Sequence, residues 1–253
     1  MKCSTRALVI ALAVISQACT QQLRPNDPLP VQPDTNALQI HKPQTSEQAG
    51  AHSDAASKSL FASECVILLH GLARTHKSMI PLATQLQARG YKVVNVDYAS
   101  RNFPIAELAQ KAIPPALAQC RTEPSSRIHF VTHSLGGILV RQYLSQQPIP
   151  ELARVVMLAP PNKGSEVVDW LKHAPGFGLI NGPAGKELGT DKNSLPNTLG
   201  KVDFELGVIA GTRSINLLLS LYLPNPDDGK VSLESTKIEG MQDFISLAVS
   251  HPY

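Results

Sequence analysis

From residue 65 onward, short apolar runs alternate with stretches whose apolar residues recur every three or four positions. Residues 65–69, Cys-Val-Ile-Leu-Leu, form one such run ended by His70-Gly71, which predicts a strand buried on both faces. Residues 78–89 place Met79, Leu82, Ala83 and Leu86 on one helical face, with Gly90 as a stop. The alternation continues with a strand over 92–97, a helix over 104–119 and a strand over 127–132. A helix over 136–147 closed by Pro148 follows, then strands over 154–158, 205–210 and 244–249. Pro114-Pro115 should kink or restart the second helix. Such alternation calls for an α/β fold: a mostly parallel sheet with helices on both faces. Residues 160–203 break the rhythm. They are rich in Gly and Pro, offer one helical stretch at 165–172, and read as an insertion over 162–203.

The N-terminal end follows another pattern. Lys2 and Arg6 precede an apolar run over 7–15, and Ser16-Gln17-Ala18-Cys19 brings small residues to a cleavage point, the layout of a secretory signal over 1–19. The run is too short to cross a bilayer, so the expectation is export. The segment also resembles a bacterial lipoprotein signal, in which Cys19 becomes the lipidated first residue and anchors the chain to a membrane. Ser16 stands where such signals usually carry a large aliphatic residue, and Ser16 with Ala18 equally satisfies plain cleavage, so lipoprotein and free periplasmic or secreted protein are both open. Residues 20–58 hold Pro25, Pro28, Pro30, Pro33 and Pro43 and no Phe, Tyr or Trp. Such a stretch buries too little apolar surface to offset its ordering entropy, and reads as a disordered tether. The expected folded domain is residues 59–253.

Composition narrows the partners. Of 253 residues, 23 are Lys or Arg and 20 Asp or Glu, a net +3 spread without a basic stripe, so nucleic acid is not an expected partner. No Cys/His spacing suggests a metal site, and no cofactor is implied.

In a parallel α/β sheet the reactive groups sit on loops at the carboxyl ends of the strands. Those loops carry His70-Gly71, Thr132-His133-Ser134-Leu135-Gly136-Gly137, Asp227-Asp228-Gly229 and His251. A hydroxyl at the strand-to-helix turn, with glycines where backbones approach, suits a nucleophile whose developing charge lies at a helix N-terminus. Ser134 as a simple helix cap is the plainer alternative. The order Ser, then acid, then His favours chemistry.

With these motifs the chain resembles the α/β-hydrolase superfamily, and within it bacterial lipase and esterase-like proteins. The resemblance rests on His70-Gly71-Leu72-Ala73-Arg74, the Thr132–Gly137 elbow, Ala159-Pro160-Pro161-Asn162 and Asp228-Gly229-Lys230-Val231. Thr132 stands where glycine is commoner. The resemblance implies a serine hydrolase of acyl esters or lipids, with Ser134 as nucleophile, Asp228 as acid and His251 as base. It also implies an oxyanion hole from the N–H groups of Leu72 and Leu135. Asp227, one residue earlier, is the competing acid. His133 is expected to point away from the nucleophile as a buried, hydrogen-bonded packing residue, and His70 to order the oxyanion loop. Neighbouring strands in that fold imply a Cys65–Cys120 disulfide, with two separate buried thiols as the alternative. The insertion takes the place of a lid, where Trp170, Leu171, Phe177, Leu179 and Ile180 either line an acyl pocket or simply pack. The sequence continues only two residues past His251, so a frayed tail and a poorly oriented base are expected there. That keeps open a non-catalytic interaction protein on a hydrolase fold.

Overall fold

The computed structural model of the protein describes residues 64–122, 127–214 and 223–251. The signal-like segment, Cys19, the tether over 20–58 and the first residues of the expected domain lie outside the described residues. Six strands form one sheet: β1 (Glu64–Leu69), β2 (Lys92–Val96), β3 (Arg127–His133), β4 (Leu152–Leu158), β5 (Leu206–Gly211) and β6 (Asp243–Leu247). Their order is β2-β1-β3-β4-β5-β6 and every adjacent pair is parallel. The chain therefore leaves β1 toward one edge and returns on its other side at β3. This reversal opens a crevice between the carboxyl ends of β1 and β3, where such sheets place their sites.

The continuous apolar run of β1 divides between two layers, because successive side chains point to opposite faces. Cys65, Ile67 and Leu69 pack with residues of α2 (Ile105–Cys120) and α3 (Leu135–Leu144), among them Leu108, Ile113, Ile138 and Leu139. Val66 and Leu68 face the other way, onto Ala83 and Leu86 of α1 (Ile80–Ala88), which a 3-10 turn at His76–Met79 introduces. Each of these large aliphatic side chains contributes roughly 1.5–3 kcal/mol by leaving water. Cys65 and Cys120, both fully buried, form a disulfide between β1 and the end of α2, with Cα atoms 5.7 Å apart.

Two expectations fail for physical reasons. The helix α2 does not restart at Pro114-Pro115 but continues as one element through both. Pro115 is exposed and Pro114 half-buried, so the carbonyls of Gln110 and Lys111, deprived of their helical N–H partners, lie toward water, while Ala112, Ile113, Ala116 and Leu117 hold the inner face. The insertion contains three helices rather than one: α4 (Glu166–Leu171), α5 (Phe177–Lys186) and α6 (Leu195–Thr198). Within α5, Gly182 at φ 66° kinks the helix beside Pro183, which hides it from a periodicity reading. A last short helix, α7 (Leu233–Thr236), is capped by the Ser232 hydroxyl, which accepts the Ser235 N–H.

Candidate active site

Ser134 stands between the last residue of β3 and the first of α3 with φ 51° and ψ −118°. A side chain at positive φ is strained by about 1–3 kcal/mol, and here the strain lifts the hydroxyl off the end of the sheet. The turn closes because its neighbours are small. A Cβ on Gly136 would come 2.7 Å from the carbonyl oxygen of Leu69 and 3.0 Å from that of His70, both backbone atoms that cannot step aside. The elbow thus packs directly on the carboxyl end of β1.

Asp228 and His251 arrive from the far side of the crevice. Asp228 is fully buried; its Oδ1 accepts the N–H groups of Lys230 (3.0 Å) and Val231 (2.9 Å), leaving Oδ2 for His251 Nδ1 at 2.8 Å. Since Nδ1 donates to the carboxylate, Nε2 is the accepting nitrogen, and the Ser134 hydroxyl lies 3.1 Å from it. Asp227 is turned elsewhere: its Oδ1 accepts the Gly229 N–H at 2.7 Å, an Asx-type turn. His251 is 4% exposed and its own N–H donates to the Asp228 carbonyl at 2.9 Å, so the fraying expected at this residue does not occur. Hydrogen bonds at both ends of the residue hold it.

The loop after β1 completes the crevice. His70 is fully buried, donates from Nδ1 to the Gly71 carbonyl (2.9 Å), and stacks on Tyr98 with ring centroids 4.0 Å apart. Tyr98 reaches back with its hydroxyl to the His70 carbonyl, and its N–H donates to His70 Nε2 at 3.4 Å. Burial pushes the His70 imidazole below its usual value, so it orders the loop as a neutral ring. The next turn is pinned by Ser100, whose hydroxyl accepts the Ala73 N–H at 3.1 Å. Among the described residues, neither the Leu72 N–H nor the Leu135 N–H has a protein acceptor; the latter is one of the unpaired donors at the start of α3. Gly71 lies against Ser134, with room of only 3.3 Å between an added Cβ and the serine Cβ.

His133 is buried like a packing residue, yet it does not pack away from the site. Its Nε2 donates to the carbonyl oxygen of His251 at 3.0 Å, and the two rings lie 5.0 Å apart. Burial, followed by the neighbouring His251, holds its imidazole down at about 3.

The insertion borders the crevice through α5: a Cβ on Gly185 would meet the Leu72 side chain at 3.2 Å. Of the residues considered for an acyl pocket, Phe177 is buried in the main core and Leu171 packs against it, whereas Leu179 is 89% exposed and Ile180 61%. Those two side chains face away from the protein interior. The insertion is fastened by Arg141 on α3, which donates to the carbonyls of Asn162 (2.9 Å), Pro196 (2.9 Å) and Gly200 (2.8 Å). Its guanidinium, deprived of water, is lowered to about 10. Sequence reasoning missed Tyr98, Ser100, Arg141 and the His133 contact. Arg141 alone left a signal, as a charge on a helix otherwise apolar on most sides.

Among the described residues no group of three or more His, Cys, Asp or Glu side chains could hold a metal ion, and no helix is long and apolar enough to cross a membrane.

The profile of the Alpha/beta hydrolase family matches residues 66–219. No curated protein matches the chain. Among solved structures, the mature form of the lipase BlEst2 from Bacillus licheniformis is 16% identical, with a TM-score of 0.54 over 76% of this chain and 86% of that one. A metagenomic carboxyl esterase is 16% identical, with a TM-score of 0.53 over 75% of this chain and 65% of its own. Phospholipase PlaB from Legionella pneumophila is 18% identical, with a TM-score of 0.51 over 69% of this chain; the match spans 45% of PlaB. At these identities the likeness concerns the fold.

Proposed function

The chain belongs to the alpha/beta hydrolase family, and from that premise we propose that it is a serine hydrolase cleaving carboxylic esters of an acyl or lipid substrate through an acyl-enzyme. One observation carries the reading: the unbroken line from Asp228 Oδ2 to His251 Nδ1 (2.8 Å) and from His251 Nε2 to Ser134 Oγ (3.1 Å), ending on a hydroxyl held at a strained turn. Ser134 Oγ attacks the ester carbonyl as its proton passes to His251 Nε2, and Asp228 stabilises the imidazolium through Nδ1. The resulting oxyanion is met by the N–H groups of Leu72 and Leu135, each worth roughly 2.7–4 kcal/mol of barrier. Collapse returns the proton from His251 to the departing alkoxide and leaves the acyl group on Ser134. Water then gives its proton to His251, attacks the acyl-enzyme, and releases the carboxylic acid with Ser134 restored.

The N-terminal sequence supports an exported protein, lipidated at Cys19 and thereby attached to a membrane. Palmitate labelling of wild type but not of Cys19→Ala is the expected result; equal labelling of the two excludes it.

The catalytic reading is tested with a fluorophosphonate probe and a series of p-nitrophenyl esters of increasing chain length. Labelling of wild type, none of Ser134→Ala, and ester turnover lost with it are expected. A wild-type protein that neither labels nor turns over any ester, or an alanine variant that labels equally, overturns the proposal.

A further inference from the structure

We propose that His133 is a positioning residue whose Nε2–H, given to the backbone carbonyl of His251, sets where the base stands relative to Ser134. The inference rests on the catalytic reading above but concerns a residue which that mechanism leaves unused. His251 is held from two sides. Asp228 takes its amide N–H (2.9 Å) and its Nδ1 (2.8 Å), while its carbonyl and its Nε2 face the end of β3, at His133 Nε2 (3.0 Å) and Ser134 Oγ (3.1 Å). Because His133 and Ser134 are consecutive, one peptide unit carries both the nucleophile and the donor that fixes the base. Any displacement of the His251 backbone away from the elbow must break the His133 bond. Of the two hydrogen bonds that His251 makes on this side among the described residues, the one from His133 does not itself change during the proton transfers.

The bond has a fixed polarity. A carbonyl oxygen only accepts, so His133 must carry its proton on Nε2. The ring is 9% exposed and burial opposes its charging, so the donor persists over the working range of pH without titrating. The imidazole is also clamped from its other side: a Cβ on Gly71 would come 2.7 Å from His133 Nδ1 and 3.2 Å from Cε1. The ring thus fills the space between the Gly71–Leu72 turn and the His251 backbone. It spaces the oxyanion donor of Leu72 from the base, and both spacings are registered to the same elbow.

A donor and a filler make different predictions, and three variants separate them. Glutamine carries an amide N–H at about the reach of Nε2; phenylalanine keeps a planar ring without the donor; methionine fills the volume flexibly and replaces phenylalanine should that variant fail to fold. With p-nitrophenyl acetate, kcat of His133→Phe or His133→Met should fall about 10- to 100-fold with KM little changed, as expected for a base displaced by a fraction of an ångström. His133→Gln should recover most of that loss. The downfield proton NMR signal of His251 Nδ1–H on Asp228 should broaden or move in the phenylalanine or methionine variant and persist in the glutamine variant, all with wild-type circular dichroism. The proposal is overturned if the donor-less variants keep kcat and the downfield signal, or if glutamine is as impaired as they are. Either result is read against wild type that labels at Ser134; absence of that labelling defeats the catalytic reading instead.

Discussion

Asp228 grips His251 twice, with its side chain on the ring Nδ1 at 2.8 Å and with its main-chain carbonyl on the amide N–H at 2.9 Å. The carboxylate itself is fixed by two further N–H groups, from Lys230 and Val231, so it cannot swing to follow a misplaced ring. Asp228→Asn keeps the shape but presents an amide that favours the wrong histidine tautomer, and kcat should fall by about 10⁴. Asp227→Asn retains the oxygen that accepts the Gly229 N–H, and activity should stay within about tenfold of wild type, because that side chain is spent on the turn. Comparable losses in both variants, measured on the same ester, would sink the assignment of the acid.

The sequence disclosed the sheet because each strand is a short apolar run closed by a Gly, Pro or polar turn, and disclosed the elbow because Ser134 and Gly136 obey a local steric requirement. The expected edges of the strands lie within two residues of the observed ones, and four of them coincide. What stayed hidden has causes of two kinds. The helix α5 is interrupted by Gly182 and Pro183, so no window shows a clean period, and α2 passes two prolines because its inner face is buried strongly enough to hold it. The contacts of His133 with His251 and of Arg141 with Pro196 span 118 and 55 residues. Nothing local encodes such pairings. The adjacency of His133 to Ser134 made it look like a packing residue, and only the return of the chain to that spot gives it a partner.

Buried neutral histidines make the fold sensitive to acid. In the unfolded chain His133 takes a proton near its ordinary 6.5, whereas in the folded protein it does so only near 3. Between those values the unfolded state binds more protons, so stability is full above about pH 6.5 and declines as pH falls toward 3. His70 and His129 are displaced in the same direction, chiefly by burial, and add to the slope. The share of His133 is at most about 1.4 kcal/mol per pH unit. Urea denaturation of wild type and His133→Gln at pH 7, 6 and 5 reads it as a difference in slope. Identical slopes would show that His133 is charged in the folded state or does not report on folding.

The Cys65–Cys120 disulfide closes a segment with a sequence separation of 55 residues and joins the first core strand to the end of the helix beside it. Restricting the unfolded chain by a loop of that length is worth roughly 4 kcal/mol in the chain-entropy treatment. The double variant Cys65→Ala/Cys120→Ala removes the bond together with two sulfur atoms at fully buried positions, so a cavity cost adds to the lost restriction. It should therefore melt lower by about 2–4 °C for each kcal/mol lost. Ester turnover at 25 °C should change less than twofold, because the bond lies at the opposite ends of β1 and α2 from the elbow. Equal melting temperatures with and without the bond would place its contribution near zero.

Arg141 fastens the insertion to the helix that begins after Ser134, and the connection continues beyond it. Asn162, whose carbonyl accepts from Arg141, donates through its side-chain Nδ2 to the Thr236 carbonyl at 2.8 Å, tying the same point to α7, just after the loop of Asp228. Two opposing terms decide what Arg141→Met does. Removing a desolvated cation is favourable, as its lowered value of about 10 indicates. Against this, the carbonyls of Asn162 and Pro196, on buried residues, lose their donor, each at roughly 1–3 kcal/mol, while that of exposed Gly200 can turn to water. The carbonyl term is the larger, so the variant should be less stable by about 2 kcal/mol. The loss should be concentrated in the insertion, where trypsin cleavage after Lys163, Lys172, Lys186 or Lys192 should accelerate before the rest of the domain is attacked. Ester turnover should fall with it, since α5 touches Leu72 and the insertion is the part set loose. Unchanged cleavage rates within 162–203 would mean that other contacts hold the insertion, among them the 2.8 Å bond from the Ile105 N–H to Glu187.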